Sequence, residues 1–371
     1  MNLILDLCLL SHSTALSILL PHSCNAFLHS ISGNPVLSFN IRISKPILSR
    51  NSPNPVAPLK LGKDSLGVFE FFSNSGKSTA IYEAVKGSQM LGDLAVVFET
   101  EGNWNWEHAK TVGVKCKEVI DEETGEVITR PDGFMLLQGP DLLKRFVNYD
   151  HSSSKMGTKP LRSEPVVEDI ALYMHQLLDK QRDGVIDQDI NFFWDSVGSI
   201  NCFRGATSNN SNNQWTAGAI GTAFKSLINF RIPSTRRTDS PHFATFAVVQ
   251  QIWLDNENKV VKHKGGEAFF YAPRLIFHYG GILSHSTEKL KATFQGKDFQ
   301  YGIETKIRCE KNQVNGVEQK GKLASTPHGY WNPDKLDEYK KIHSEFFKKN
   351  LNTTLDDFML VKEVNPNMET D

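Results

Sequence analysis

Three continuous apolar runs constrain this chain more than anything else in it. They lie in "DLAVVFETE" (93–101), "DINFFWDS" (189–196) and "HFATFAVVQQIWL" (242–254), and each ends in acids or amides. A strand open to water on one face alternates apolar with polar residues; an unbroken run is buried on both faces. Strands covered on both sides belong to a parallel sheet whose crossover helices form the covering layers. A fourth strand, "GVFEF", precedes them. Helical spacing fills the gaps. Ile81, Ala84, Val85 and Ser88 share one face, "VVEDIALYMHQLLDKQRDG" is amphipathic and closes at Gly184, and "AIGTAFKSLINFRI" reads as a helix. Strand and helix alternating in this way predict an α/β fold: a mainly parallel central sheet flanked by helices, with a ligand crevice at the C-terminal strand ends.

The remaining segments are read more coarsely. "NWEHAKTVGV" is a short helix, and "KEVIDEETGEVITRPDGFMLL" is a hairpin turning at Thr124-Gly125 followed by a strand. "GPDLLKRFVNYD" is a helix from Asp141, and Ser152 to Pro165 is a polar loop. "NCFRGATSNNSNNQWTAG" and "DNENKVVKHKGGE" are exposed loops. "RLIFHYGG" and "FQYGIETKIRCEKNQV" are later strands, and "DKLDEYKKIHSEFFKKN" is a charged C-terminal helix. Residues 1–60 are rich in Ser, Pro, Asn and His, and are read as a poorly ordered leader or as sequence upstream of the native start. The expected organisation is that leader, a core over 61–330, and a C-terminal helix and tail over 331–371.

A formal net charge of −1 removes any general attraction to polyanions, so a nucleic-acid site has to be local. Five scattered cysteines without CxxC spacing speak against a disulfide framework or a zinc site and for a reducing, cytoplasmic setting. The apolar N-terminal stretch is broken by Asp6 and His12, which argues against a membrane span.

Chemistry concentrates at the strand ends. "SNSGKST" (73–79) joins the first strand to the first helix, as a phosphate cradle does. Gly76 permits close backbone approach, Lys77 would reach the β- and γ-phosphates, Ser78 would hold Mg²⁺, and Thr79 would support the α-phosphate or the loop. The full pattern G-x-x-x-x-G-K-[ST] asks for Gly at position 71, where this chain has Phe71. On its own the string is as compatible with a plain strand-turn-helix join. Glu99 and Glu101 end one strand, Asp195 another, and Gln250 and Gln251 a third; singly, each reads as a solvated strand terminus.

Together these stretches resemble the core of RecA-type recombinases, particularly phage-encoded relatives, over Leu66 to about Tyr330. The resemblance implies a RecA-like P-loop NTPase core with a small C-terminal extension. It implies ATP and Mg²⁺ as cofactors, with Ser73, Asn74, Ser75, Gly76, Lys77, Ser78 and Thr79 forming the cradle. Glu101 would be the catalytic base, Asp195 in "FFWDSVGSI" an outer partner of Mg²⁺, and Gln251 in "VVQQIW" the γ-phosphate sensor. Lys311 in "CEKNQ" would reach a neighbouring subunit's nucleotide. Asn105 and His108 would meet the base, although Trp104 and Trp106 beside them read equally well as core. Two loops would face single-stranded DNA, Phe203 to Gln214 with Arg204 and Leu254 to Gly266 with Lys259, Lys262, Lys264, Gly265 and Gly266. The resemblance further implies a homo-oligomer, filament or ring, and no membrane.

Departures from the family pattern are specific. Phe71 replaces the first cradle glycine, Gln313 stands where a second bridging lysine is expected, and the hairpin over Lys115–Arg130 is an insertion. The expectation is therefore a DNA-dependent ATPase acting in homologous strand exchange, with turnover weakened by Phe71. A ring helicase or other motor ATPase, and a non-hydrolysing DNA-binding filament protein, remain the other readings.

Overall fold

A computed structural model describes residues 66–71, 76–208, 213–237, 239–255, 260–263, 268–280, 287–294, 297–313 and 316–352. The protein is α/β, with a parallel sheet flanked by helices. Six strands run parallel: β1 (Leu66–Phe71), β2 (Leu94–Glu99), β5 (Phe134–Gln138), β8 (Ile190–Val197), β9 (Ala244–Asp255) and β11 (Leu275–Tyr279), in the spatial order β5-β2-β8-β9-β1-β11. Outside that path, β3 (Cys116–Ile120) and β4 (Val127–Pro131) form the expected hairpin, and β6 (Tyr149–Asp150) pairs with β7 (Lys155–Met156).

The period of two explains the continuous apolar runs. Val96 and Phe98 of β2, Phe192 and Trp194 of β8, and Phe246 and Val248 of β9 face one helical layer. That layer includes Val167, Ile170, Met174 and Leu177 of the long helix Val167–Arg182. The intervening residues, Ala95, Val97, Phe193, Ala247 and Val249, face Ala80, Ile81, Ala84 and Val85 of the helix Lys77–Leu91. All of β8, β2 from Ala95 onward and β9 from Ala244 to Gln250 are therefore inside. Trp194 is fully buried and stacks on Phe224 at 5.4 Å; burying a side chain of this kind stabilises by about 2–3 kcal/mol relative to leaving it in water. In chain order the helices used below are α1 (Lys77–Leu91), α2 (Trp106–Val112), α3 (Gly139–Phe146), α4 (Val167–Arg182), α5 (Phe203–Thr207), α6 (Asn213–Ala223), α7 (Leu336–Ile342) and α8 (Ser344–Asn352).

Beyond β11 the sheet turns antiparallel. β13 (Lys297–Asn312) pairs with β11, β14 (Gln319–Thr326) with β13, and β15 (Gly329–Trp331) with β14. β12 (Thr287–Phe294) adds to β13, and β10 (Val260–His263) folds back on β9. A third core cluster of Tyr301, Ala324, Trp331, Tyr339 and Phe347 holds α7 and α8 on this arm.

Several expected boundaries move. The loop expected over Phe203–Gln214 begins with α5, because Cys202 Sγ accepts the Gly205 N–H and starts a helical turn. The helix expected from Ala219 starts at Asn213 and is continued by a π-helical turn over Leu227–Arg231. Part of the second expected loop, Leu254–Gly266, is the β9–β10 hairpin instead. The strand expected to end at Asp195-Ser196 runs to Val197, α3 begins at Gly139 ahead of Asp141, and the C-terminal helix is two helices divided at His343. Among the described residues no helix is long and apolar enough to cross a membrane. The expected leader, 1–60, lies outside the described residues.

Candidate functional site

In a parallel sheet all the strands point their C-terminal ends to one edge. Here that edge brings together Phe71 of β1, Gln251 of β9, Asp195 of β8 and Glu99 of β2: Phe71 pairs with Gln251, and Glu99 with Asp195. Helix α1 leaves the same edge. Its N-cap, Gly76, has φ +94°, a conformation that disfavours any side chain. Glycine has no side chain to cap the helix, so among the described residues no N-cap oxygen competes for its first-turn N–H groups.

Lys77 opens α1, and its ammonium reaches across the sheet edge. It donates to Glu101 Oε2 and lies 3.4 Å from Asp195 Oδ1. Glu101 accepts a second hydrogen bond from the Ser196 hydroxyl, and the peptide joining Asp195 to Ser196 is cis. Residues 77, 101, 195 and 196, carried on three elements, thus meet at one point.

Glu99 has a different task. It is buried, and its carboxylate accepts the backbone N–H groups of Glu101, Gly102 and Asn103 at 3.0, 3.1 and 3.1 Å. It shapes the turn that follows β2, where Gly102 takes φ +72°. Of the two acids at this strand end, Glu99 builds the turn and Glu101 projects from it to meet Lys77.

The electrostatics follow from burial against pairing. Burial pushes the Asp195 carboxyl up to about 6; Lys77 opposes that rise, and the carboxylates of Glu101 and Glu99 add to it. Glu101 is moved the other way: burial works against its charge, but the bonds from Lys77 and Ser196 outweigh burial and hold it below the usual carboxylate range. For Lys77, burial is again opposed, and the facing Asp195 and Glu101 raise it above the ordinary lysine value. Two carboxylates, Glu101 and Asp195, face the Lys77 ammonium, and Glu99 stands behind them in the turn. Asp195 Oδ1 is buried and accepts no hydrogen bond, its ammonium neighbour standing at ion-pair distance only. Among the described residues no group of three or more His, Cys, Asp or Glu side chains is arranged to hold a metal ion, so a divalent cation beside Asp195 would need further oxygens from water or a bound ligand; the first turn of α1 next to it suits a phosphate.

No protein-family model and no curated protein matches this chain.

The other expected site residues fall into place unequally. Ser78 is half-buried in the first turn of α1. Thr79 is buried and shares a 2.9 Å hydrogen bond with the Ser325 hydroxyl. Asn105 caps α2: its side chain accepts the His108 N–H at 2.9 Å, and its own N–H donates to the Tyr82 hydroxyl. The His108 ring stands edge-on to Tyr82 at 5.0 Å, and burial lowers its basicity. Trp104 and Trp106 pack against the α1-side core beside Phe134. Lys311 lies opposite Ile276 at the start of β11, and donates to the Tyr271 carbonyl; it belongs to the other end of the sheet from Lys77. Arg204 is exposed on α5, with its guanidinium carbon 4.0 Å from the Trp215 ring centroid. Gln251 and Lys262 are described through their backbones alone, on β9 and β10. Ser73, Asn74, Ser75, Lys259, Lys264, Gly265 and Gly266 lie outside the described residues.

Sequence reasoning missed the arm that closes on α1. Tyr330 donates its hydroxyl to the Gly76 carbonyl, Ser325 meets Thr79, and the Tyr330 N–H donates to buried Glu83. The signal available was Gly329 beside aromatics in "HGYW", which carries no periodicity.

Proposed function

We propose that this protein is a RecA-type, DNA-dependent ATPase that uses ATP and Mg²⁺ to hold single-stranded DNA for homologous pairing and strand exchange. The observation that carries the ATPase reading is the convergence of Lys77, Glu101 and Asp195 at the N-terminus of α1, whose N-cap is a glycine. Lys77 and the first-turn N–H groups of α1 would take the phosphates, and Ser78 and Asp195 would face the metal, which supplies charge neutralisation for phosphoryl transfer. Glu101 is held ionised by Lys77 first and by Ser196, which also orients it, so it is in the form that can accept a hydrogen bond from an attacking water and align it. In the arrangement described, Lys77 is the partner of Glu101; a triphosphate that drew Lys77 away would leave the carboxylate available.

The DNA half of the reading rests on the resemblance, with Arg204 on α5 and Lys262 on the β9–β10 hairpin as its described basic residues. Arg204 stacked on Trp215 offers a cation and an aromatic face together, which suits an unpaired base and its phosphate. Self-association into a filament or ring, with Lys311 facing a neighbour, belongs to the same proposal.

The test is ATP hydrolysis with and without single-stranded DNA, followed by joint-molecule formation between homologous strands. Stimulated turnover, homologous pairing, and loss of both in Lys77→Ala are expected. Turnover that DNA does not change would refute the recombinase. DNA binding without turnover would leave the non-hydrolysing filament that Phe71 suggests, and duplex unwinding would leave the motor ATPase.

A further inference from the structure

The antiparallel arm touches α1 at three points within two helical turns. The Tyr330 hydroxyl donates to the Gly76 carbonyl at 2.9 Å, the Ser325 and Thr79 hydroxyls lie 2.9 Å apart, and the Tyr330 N–H donates to Glu83 Oε1 at 3.1 Å. All of these side chains are buried: Tyr330 is 3% exposed, Ser325 8%, Thr79 3% and Glu83 2%. The approach is tight. A Cβ on Gly76 would stand 3.1 Å from Ser325, and a Cβ on Gly329 would stand 2.1 Å from Glu83 Oε1.

The Gly76 contact matters because of what a peptide plane transmits. The Gly76 carbonyl also accepts the Ala80 N–H at 3.2 Å, so two donors fix its direction. The peptide is planar and trans, so a fixed carbonyl fixes the Lys77 N–H on the opposite side of the same plane. At a helix start that N–H points out of the N-terminal end, toward a bound anion. The second contact acts one turn further in, by holding the Thr79 side chain against the arm.

We infer that Tyr330 and Ser325 are positioning residues for the triphosphate: from β15 and β14 they set the first turn of α1, and so the donors that receive the phosphates. This rests on the ATP reading above. It also gives the C-terminal arm a part in nucleotide affinity, because Trp331, next to Tyr330, lies in the cluster that carries α7 and α8. The Tyr330 phenol is deeply buried and held well above its ordinary pKa, so it stays a donor throughout the working pH range.

The experiment measures Kd for ATP and for inorganic triphosphate, together with kcat and KM, in the full chain carrying Tyr330→Phe, Ser325→Ala or Lys77→Ala. Tyr330→Phe keeps the ring and leaves the Gly76 carbonyl bonded to Ala80, and removes one neutral hydrogen bond. Its expected effect is about fivefold weaker binding of both ligands. KM should rise in step, with kcat changed by less than about twofold, the signature of lost binding rather than lost chemistry. A purely structural role would lower the melting temperature and leave the affinity of the folded protein unchanged, which would overturn the inference. If Tyr330→Phe does not fold, Ser325→Ala decides by the same criterion. Wild-type binding that disappears in Lys77→Ala but is unchanged in the arm variants overturns this inference alone. A folded wild type that binds neither ligand overturns the ATP reading, and this inference with it.

Discussion

Asp195→Asn should make the ligand-free protein more stable at neutral pH, which is unusual for a change at a buried charged residue. The Asp195 carboxyl titrates at about 6 when folded, against an ordinary value of 3.8. An acid whose folded pKa lies above its unfolded one favours folding only when protonated. That stability is fully present below about pH 3.8 and is lost as the pH rises through about 6. With about 1.4 kcal/mol for each pH unit of separation, ionised Asp195 costs the folded state about 3 kcal/mol at pH 7.5. Its side chain is 11% exposed, so water screens little of this. Asn approximates the protonated acid in shape and charge. The variant should therefore gain up to about 3 kcal/mol at pH 7.5, and nothing near pH 4.

Urea unfolding of both proteins from pH 4 to pH 8, with a chelator and without nucleotide, measures the difference directly. Glu101 has a lowered pKa and acts with the opposite sign, but it is present in both proteins and largely cancels. Saturating MgATP adds a second arm. At a hundred times its Kd a ligand stabilises its protein by about 2.7 kcal/mol, and on the proposed function wild type should receive more of this than Asp195→Asn. A variant that is less stable at pH 7.5, or a gain that does not depend on pH, would refute the reasoning. A gain of this size would mark the cluster as one where folding stability is given up for binding.

Gly329→Ala combines φ +99° with a Cβ 2.1 Å from Glu83 Oε1, and should cost about 2 kcal/mol or more, read as a melting temperature lower by about 5 °C. Asp169→Asn breaks the fully buried pair in which Arg162 Nη2 lies 2.5 and 2.6 Å from the two carboxylate oxygens; leaving Arg162 uncompensated should cost about 3–5 kcal/mol in urea unfolding. Phe71→Gly should tighten ATP binding by restoring the cradle's first glycine; equal or weaker affinity by titration would count against the cradle reading.

The central strands were legible because burial on both faces leaves a mark that needs no knowledge of the partner: β2, β8 and β9 are apolar at consecutive positions. Helix α4 was legible for the complementary reason, a single apolar stripe ended by Gly184 at φ +73°. The hairpin turn at Thr124-Gly125 showed through Gly125, whose φ is +71°. Helix α5 did not show, because its N-cap is Cys202, a residue that rarely plays that part. The start of α6 did not show either, since Asn213 and Gln214 continue a polar run. The arm on α1 was hidden for a deeper reason. Ser325 and Thr79 are 246 residues apart, and a contact between two small hydroxyls leaves no pattern in either segment.

The two acids after β2 show where pattern stops and geometry takes over. Glu99 and Glu101 are the same residue type at the same strand end, and the sequence alone makes both candidates for the metal or the water. Alternation along an extended strand would put both on one face. The turn breaks that equivalence, because Glu99 spends its carboxylate on three successive N–H groups and thereby bends the chain over itself. Glu101 is then carried past the sheet edge to Lys77 and Ser196. One carboxylate thus sets the position of the other, so the position of a proposed base depends on a neighbour that the chemistry does not use.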